Sequence, residues 1–234
     1  HFKPCKIKLL ELKNVEQSIE QFLKHIRWYQ SSIADPQAVF EHFAEVYKQY
    51  RMFGEMLERI GAKYISFQLD YKNPGFYFQA AASAAKTRKK YVLQLCEPHR
   101  ATITKLAAAD PTAFKADYDT GYVGLKIDYT NMDNTTKSSK AEQLFLKSSY
   151  EEIQFDHCRT IIQMLNNAYK HFKKSGKNPR ITTTIASDLA EQYLDNKQYS
   201  IAKSIADTII NHLRHSKWNV IMTPVHHILL KCSK

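Results

Sequence analysis

The sequence predicts an all-α fold, an α-solenoid of antiparallel helix pairs of the tetratricopeptide type with an irregular central insertion. Three observations carry this. Apolar residues recur at spacings of three, four and seven through most of the chain, as one face of a helix requires. Glycine is scarce, six among 234 residues, against a usual share of ~7%, and sandwiches and barrels need it at many turns. The pairs Asp35-Pro36, Asn73-Pro74 and Asn178-Pro179 each stand just ahead of an apolar period, where an N-cap and a first-turn proline belong.

The first face, within residues 15–33, carries Val15, Ile19, Phe22, Leu23, Ile26 and Ile33. Behind Asp35-Pro36 the second runs through Val39, Phe40, Phe43, Val46, Tyr47, Tyr50, Phe53 and Leu57, with Gly61 as its stop. Asn73-Pro74 opens a third helix rich in small residues (Ala80, Ala81, Ala82, Ser83, Ala84, Ala85), which let a neighbouring helix approach closely. It continues through Val92, Leu95 and Cys96, and Pro98 ends it.

Residues 99–150 read as irregular or loop-rich. Asp110-Pro111 is a turn or cap, and Gly121 and Gly124 interrupt an aromatic stretch. Val123, Leu125, Ile127 and Tyr129 alternate as a lone strand would, confining any strand to 120–131. Asn131 to Lys140 has the polar composition of an exposed loop. Helical order returns with Cys158, Ile161, Ile162, Leu165, Ala168, Tyr169 and Phe172 and ends near Gly176. Its start is either a capping box at Ser149-x-x-Glu152 or a cap at Asp156. Asn178-Pro179 opens a helix with Ile181, Ile185, Leu189 and Tyr193 on one face. Tyr199, Ala202, Ile205, Ala206, Ile209 and Leu213 form the next, and Thr223-Pro224 starts or kinks a last one carrying Val225, Ile228, Leu229 and Cys232.

Within that succession, Leu189, Ala190, Tyr193, Tyr199, Ala202 and Ala206 occupy positions where a tetratricopeptide-type repeat places leucine, small, tyrosine, aromatic, alanine and packing residues. The repeat's tryptophan and terminal proline positions hold Ala186 and Arg214. Residues 1–234 are therefore expected to form one solenoid segment. The lack of an initiating methionine reads as an excerpt of a longer protein.

Formal charge is +11, which raises nucleic-acid and anionic-membrane partners. The excess gathers in Lys86-Thr87-Arg88-Lys89-Lys90 and in Lys170, Lys173, Lys174, Lys177 and Arg180, both near the C-terminal half of a helix. Cations there complement the helix dipole, so the first reading is a solvated helix end. An acidic partner or lipid headgroups come next. Nucleic acid is not expected, since Lys86 to Lys90 carries no interleaved base-stacking aromatic.

The chemistry-bearing residues form no catalytic set. Cys5, Cys96, Cys158 and Cys232 lie far apart, which fits reduced thiols rather than a disulfide framework or zinc knuckle. His212-x-x-His215 and His226-His227 lack the further ligands a metal needs. Asp156-His157-Cys158 holds the residue types of a cysteine nucleophile, but helix neighbours point ~100° apart, and Cys158 falls on the apolar face. Glu41 with Glu45, and Glu55 with Glu58, read as solvated stripes beside Lys48 and Arg59. No glycine-rich phosphate loop, GxSxG, HExxH or EF-hand occurs. No cofactor, metal or enzymatic activity is expected.

The most distinctive stretch is Asn73-Pro74-Gly75-Phe76-Tyr77-Phe78-Gln79-Ala80-Ala81. Its structural reading has aromatics anchoring a capped first turn; its functional reading makes Phe76, Tyr77 or Phe78 an exposed anchor for a partner. Followed by Ala85-x-x-Arg88 and Leu95-Cys96, it resembles the signature of the foie gras domain, found in the family of eleventh subunits of TRAPP (transport protein particle) vesicle-tethering complexes. Phe53-Gly54-Glu55-Met56-Leu57 upstream is similar to that family's segment. So, downstream, are His157-Cys158, Ile161-Ile162, Leu165, Ala168, Phe172-Lys173-Lys174, Ala190-Glu191-Gln192-Tyr193, Tyr199-x-x-Ala202, Trp218 and Leu230-Lys231-Cys232. The likeness covers about residues 15–233. It departs where the family carries glycine-glutamine-arginine and a tryptophan, here Gly124-Leu125-Lys126-Ile127.

The resemblance implies a non-catalytic scaffold of a TRAPP III-type complex in endoplasmic-reticulum-to-Golgi transport and autophagy. Other TRAPP subunits would be its partners, and a Rab-family GTPase an indirect one. Its place would be the cytoplasm, peripheral on Golgi and ER–Golgi intermediate membranes. Competing readings are a tetratricopeptide-like peptide-binding module and a basic helical module on membrane surfaces.

Overall fold

A computed structural model describes residues 15–31, 39–60, 72–109, 145–176, 179–213 and 219–233. They form an all-α array: α1 (Val15–Ser31), α2 (Val39–Ile60), α3 (Pro74–Leu95), a 3₁₀ turn (Glu97–His99), α4 (Arg100–Ala109), α5 (residues 145–154), α6 (His157–Ser175), α7 (Pro179–Asp195), α8 (Tyr199–Leu213) and α9 (Asn219–Cys232). The described residues contain no strand, and none of their helices is long and apolar enough to cross a membrane.

The helices stack largely in chain order, as a solenoid does. Phe22 of α1 stacks on Phe53 of α2 at 4.0 Å, while Tyr29 stacks on His42, so the two helices run antiparallel. α2 and α3 are antiparallel too: Gly54 meets Tyr77 and Phe78 at one end, and Phe43 meets Tyr91 at the other. α3 next packs against α6, α6 against α7, and α7 against both α8 and α9. The main core spans α1, α2, α3, α6 and α7, and a second one joins α7, α8 and α9. A third, small cluster places Phe145 and Ile153 of α5 over Val39, Phe40, Val92 and Cys96.

Helix α3 is the centre of the stack. Two adjacent stripes of it are buried, one through Tyr77, Ala81, Ala84 and Arg88 and one through Phe78, Ala82, Ala85 and Val92. A helix covered on two sides needs small residues where its neighbours cross, and the alanine run supplies them. Asn73 caps it, its side-chain oxygen accepting from the Gly75 N–H at 2.8 Å. Gly75 lies against α6: a Cβ built there would stand 2.9 Å from the Phe172 ring and 3.1 Å from the Ala168 carbonyl oxygen.

Several expectations change. The stretch 99–150 contains two helices, α4 and α5; the rest of it, with Asp110-Pro111 and the alternating segment at 120–131, lies outside the described residues. As expected, α3 stops ahead of Pro98: it ends at Leu95 with Cys96 as its cap, and Pro98 sits in the 3₁₀ turn, where its missing N–H costs no helical bond. The capping-box alternative fails because Ser149 and Glu152 lie inside α5, and Asp156 caps α6 by accepting from Arg159 N–H at 2.8 Å. Pro224 lies within α9. Asp35-Pro36, Gly61, Asn178, Arg214 and Trp218 are outside the described residues.

Tight turns join the later helices. Gly176 ends α6 with φ +64°, the left-handed conformation that suits glycine, and its N–H bonds the Phe172 carbonyl. The α7–α8 turn does the same with Lys197 at φ 58°, closed by Gln198 N–H donating to Tyr193. Ala190, Ala202 and Ala206 are buried between these helices as a tetratricopeptide-type pair demands, whereas Leu189 is buried in the main core and Tyr199 is 48% exposed.

Gly75→Ala is expected to destabilise the chain by about 1–3 kcal/mol, since a fixed backbone oxygen as well as a ring must yield. Urea unfolding checks this, and Gly54→Ala, which meets only side-chain atoms at 3.3 Å, should cost less.

Candidate interaction site

The signature stretch proves to be interior. Tyr77 and Phe78 are fully buried, Phe76 is half-buried with its ring edge-on to Tyr77, and Asn73, Pro74, Gly75 and Ala81 are buried. Gln79 and Ala80 are half-buried at the margin. Tyr77 packs on Phe22 and Phe53, and Phe78 stacks on His171 of α6. The motif thus clamps α1, α2 and α6 to one helix start; Tyr77 and Phe78 are spent in the core, and Phe76 keeps part of its surface exposed.

Arg88 has the same inward orientation. It is 2% exposed, and its guanidinium makes a two-pronged pair with the fully buried Glu152 of α5 (Nη2–Oε1 2.6 Å, Nε–Oε2 2.9 Å). Phe155 lies against the guanidinium, 4.7 Å from ring centre to Cζ. Nε2 of His157 sits 3.0 Å from the Glu152 carbonyl oxygen, so a neutral ring donates there. Burial pushes the Glu152 carboxyl above the ordinary carboxylate range, and the Arg88 charge and hydrogen bonds draw it back. Burial, seconded by the Arg88 charge, holds His157 down at about 4. At neutral pH the cluster is one ion pair with a neutral imidazole beside it.

The lysines divide. Lys86 of α3 pairs with Asp188 of α7 at 2.9 Å, and Lys89 with Asp195 at 2.7 Å while it also reaches Gln192 at 3.3 Å. These two ammonium groups join α3 to α7, helices that run parallel. Lys90 is exposed. Lys170, Lys173 and Lys174 lie on the exposed side of the last turns of α6, where Lys173 stands 5.5 Å over the Tyr169 ring. Arg180 is in the first turn of α7, not in a C-terminal half, and Lys177 falls outside the described residues.

The remaining candidates separate. Asp156 is a cap, His157 belongs to the Arg88 cluster, and Cys158 is half-buried near Lys89 rather than fully buried. Glu55 pairs with Arg51, and Glu58 with His171 across α2 and α6 at 3.4 Å. His212, His226 and His227 are exposed; His215 is outside the described residues, among which no group of three potential metal ligands gathers.

Glu152 and Phe155 were missed as functional partners in the sequence because they stand 64 and 67 positions from Arg88. A signal did exist on the Arg88 side. Ala81, Ala84, Ala85 and Arg88 share the small-residue face, so the arginine had to be buried and to find an anion.

Two outcomes follow from this cluster. Arg88→Met should cost about 3–5 kcal/mol, because Glu152 is left buried and unpaired, and the double variant Arg88→Met/Glu152→Leu should recover much of it; denaturant titration of the double-mutant cycle measures this. His157 is neutral in the folded chain down to about pH 4 but protonates near 6.5 when unfolded. Its contribution is therefore intact above 6.5 and lost as pH falls from 6.5 towards 4. His157→Gln should flatten the melting temperature across that window relative to the parent.

The chain is 30% identical over 226 residues to the trafficking protein particle complex subunit 11 of Bos taurus, and 30% over 230 residues to that of Homo sapiens. The Gallus gallus protein is 29% identical over 224 residues. Each match covers 92% of this chain, yet the chain spans only 19% of those relatives' length. The profile of Foie gras liver health family 1 matches residues 1–234, and the chain belongs to that family.

Proposed function

We propose that this chain is a non-catalytic scaffold segment of a TRAPP-type vesicle-tethering complex. The observation that carries the reading is the likeness to trafficking particle subunits along nearly the whole chain. The stacked helices support it, because the signature residues and the buried charges are used to hold helices together. On this reading residues 1–234 act as one solenoid segment, and other TRAPP subunits bind its outer helix faces. The segment serves endoplasmic-reticulum-to-Golgi transport and autophagy from the cytoplasm, peripheral at Golgi and ER–Golgi intermediate membranes. A Rab-family GTPase is reached indirectly, through the complex.

Within that surface, Lys170, Lys173 and Lys174 with Arg180 and Lys177 form the proposed contact for an acidic partner or anionic headgroups, and Lys90 a smaller one. Lys86 and Lys89 contribute through the helix pairs they already hold.

Purified alone, the segment should neither hydrolyse nor exchange nucleotide, yet it should associate with other subunits of the complex when these are added. Charge reversal at Lys173 and Lys174 should weaken recruitment and reduce its salt dependence, since exposed charges act through screened attraction. Affinity capture across a salt series measures this; nucleotide exchange by the isolated segment would overturn the scaffold reading.

A further inference from the structure

At one end of the stack, the last turns of α6 and α8 flank the first half of α7 and enclose a cleft of about 300 Å³. That is the lower end of the ~300–1,000 Å³ typical of ligand sites, room for one large side chain rather than a lipid tail. Phe172 and Ile209 form part of its apolar floor, and Tyr169 part of a wall.

The polar groups around this floor are of two kinds. Thr182 and Thr183 both donate their hydroxyl hydrogens to the Pro179 carbonyl at 2.8 Å, and Thr208 donates to Ser204 at 2.8 Å. Their donors are spent, so what they offer a ligand is lone pairs, which suit N–H groups. Lys173 stands at the rim beside His212, whose Nδ1 donates to the Thr208 carbonyl at 3.3 Å, and among the described residues no carboxylate lines the cleft. Lys173 is carried over the Tyr169 ring, and Lys170 and Lys174 add positive charge from the same turn. A fitting ligand combines an apolar anchor, N–H donors and negative charge.

We propose that this cleft binds an acidic peptide segment of a partner protein, with one large apolar side chain on the Phe172–Ile209 floor and flanking carboxylates facing Lys173, with Lys170 and Lys174 beside it. The proposal rests on the reading of the chain as an interaction scaffold and adds the place and chemistry of one contact. A peptide is favoured over a membrane because the charge lies beside a pocket sized for one side chain rather than across a flat face.

The test is an array of labelled peptides Asp-Glu-X-X-Asp-Glu, with X leucine, isoleucine, phenylalanine, tyrosine or serine, titrated against the 234-residue chain by anisotropy. Lys173→Glu alters the rim charge, and Thr183→Tyr fills the cleft without changing charge; thermal melting of both variants reports folding. The expected result is that an aromatic or aliphatic member binds at least about tenfold more tightly than the serine member, and that each variant removes most of that gain. Equal binding of the serine member, or no binding at all, would overturn the proposal. So would Thr183→Tyr leaving affinity unchanged, or Lys173→Glu abolishing sedimentation with phosphatidylserine vesicles while no peptide binds. Capture of other complex subunits is measured alongside: its retention while peptides fail is the failure of the cleft alone, and its loss in the parent chain is the failure of the scaffold reading.

Discussion

Helix α3 is held from two sides at once, and this double burial constrains the rest of the stack. Its start is set by the Asn73 cap and its closeness to α6 by the missing side chain at Gly75, where a Cβ would stand 2.9 Å from Phe172. With α2 on one flank and α6 on the other, the alanine run is a packing requirement. Larger residues at Ala81, Ala82, Ala84 or Ala85 would push apart helices whose aromatic side chains already fill the space. The signature aromatics serve the same end. Phe22, Phe53 and Tyr77 form one ring cluster from three helices, so α1, α2 and α3 are fastened by a single contact set.

The ion pairs differ in what they contribute. Arg88 and Glu152 are both dry, and their desolvation offsets much of their attraction, so the pair adds specificity more than stability. It ties α5 to α3, since a seating that parts the two groups leaves both buried and unpaired. Lys86–Asp188 and Lys89–Asp195 are partly solvated and individually worth ~0–1 kcal/mol. Their value is geometric: both lie on one seam and favour the same parallel register of α3 and α7.

Such a division of labour suits a scaffold. The interior charges and aromatics fix helix positions, while Lys170, Lys173 and Lys174 stay exposed on the last turns of α6, where the dipole welcomes them. A solenoid presents its surface as a sequence of helix faces, and each new contact can be made locally, without rearranging distant parts of the stack. The cleft at the α6–α7–α8 end is a local feature of that kind.

Local pattern alone determined the helical class, most helix spans and the capped start of α3, because apolar periodicity and cap chemistry act within a few residues. It also placed Arg88 on a small-residue face. It could not tell α5 from loop, since Glu152 read equally well as a capping residue, nor show that Asp156 is the cap in use. It grouped Lys86 and Lys89 with exposed lysines because their partners, Asp188 and Asp195, lie about a hundred positions away. Only the tertiary structure decided these points: burial and pairing between residues remote in sequence depend on which helix faces meet, and composition carries no record of that.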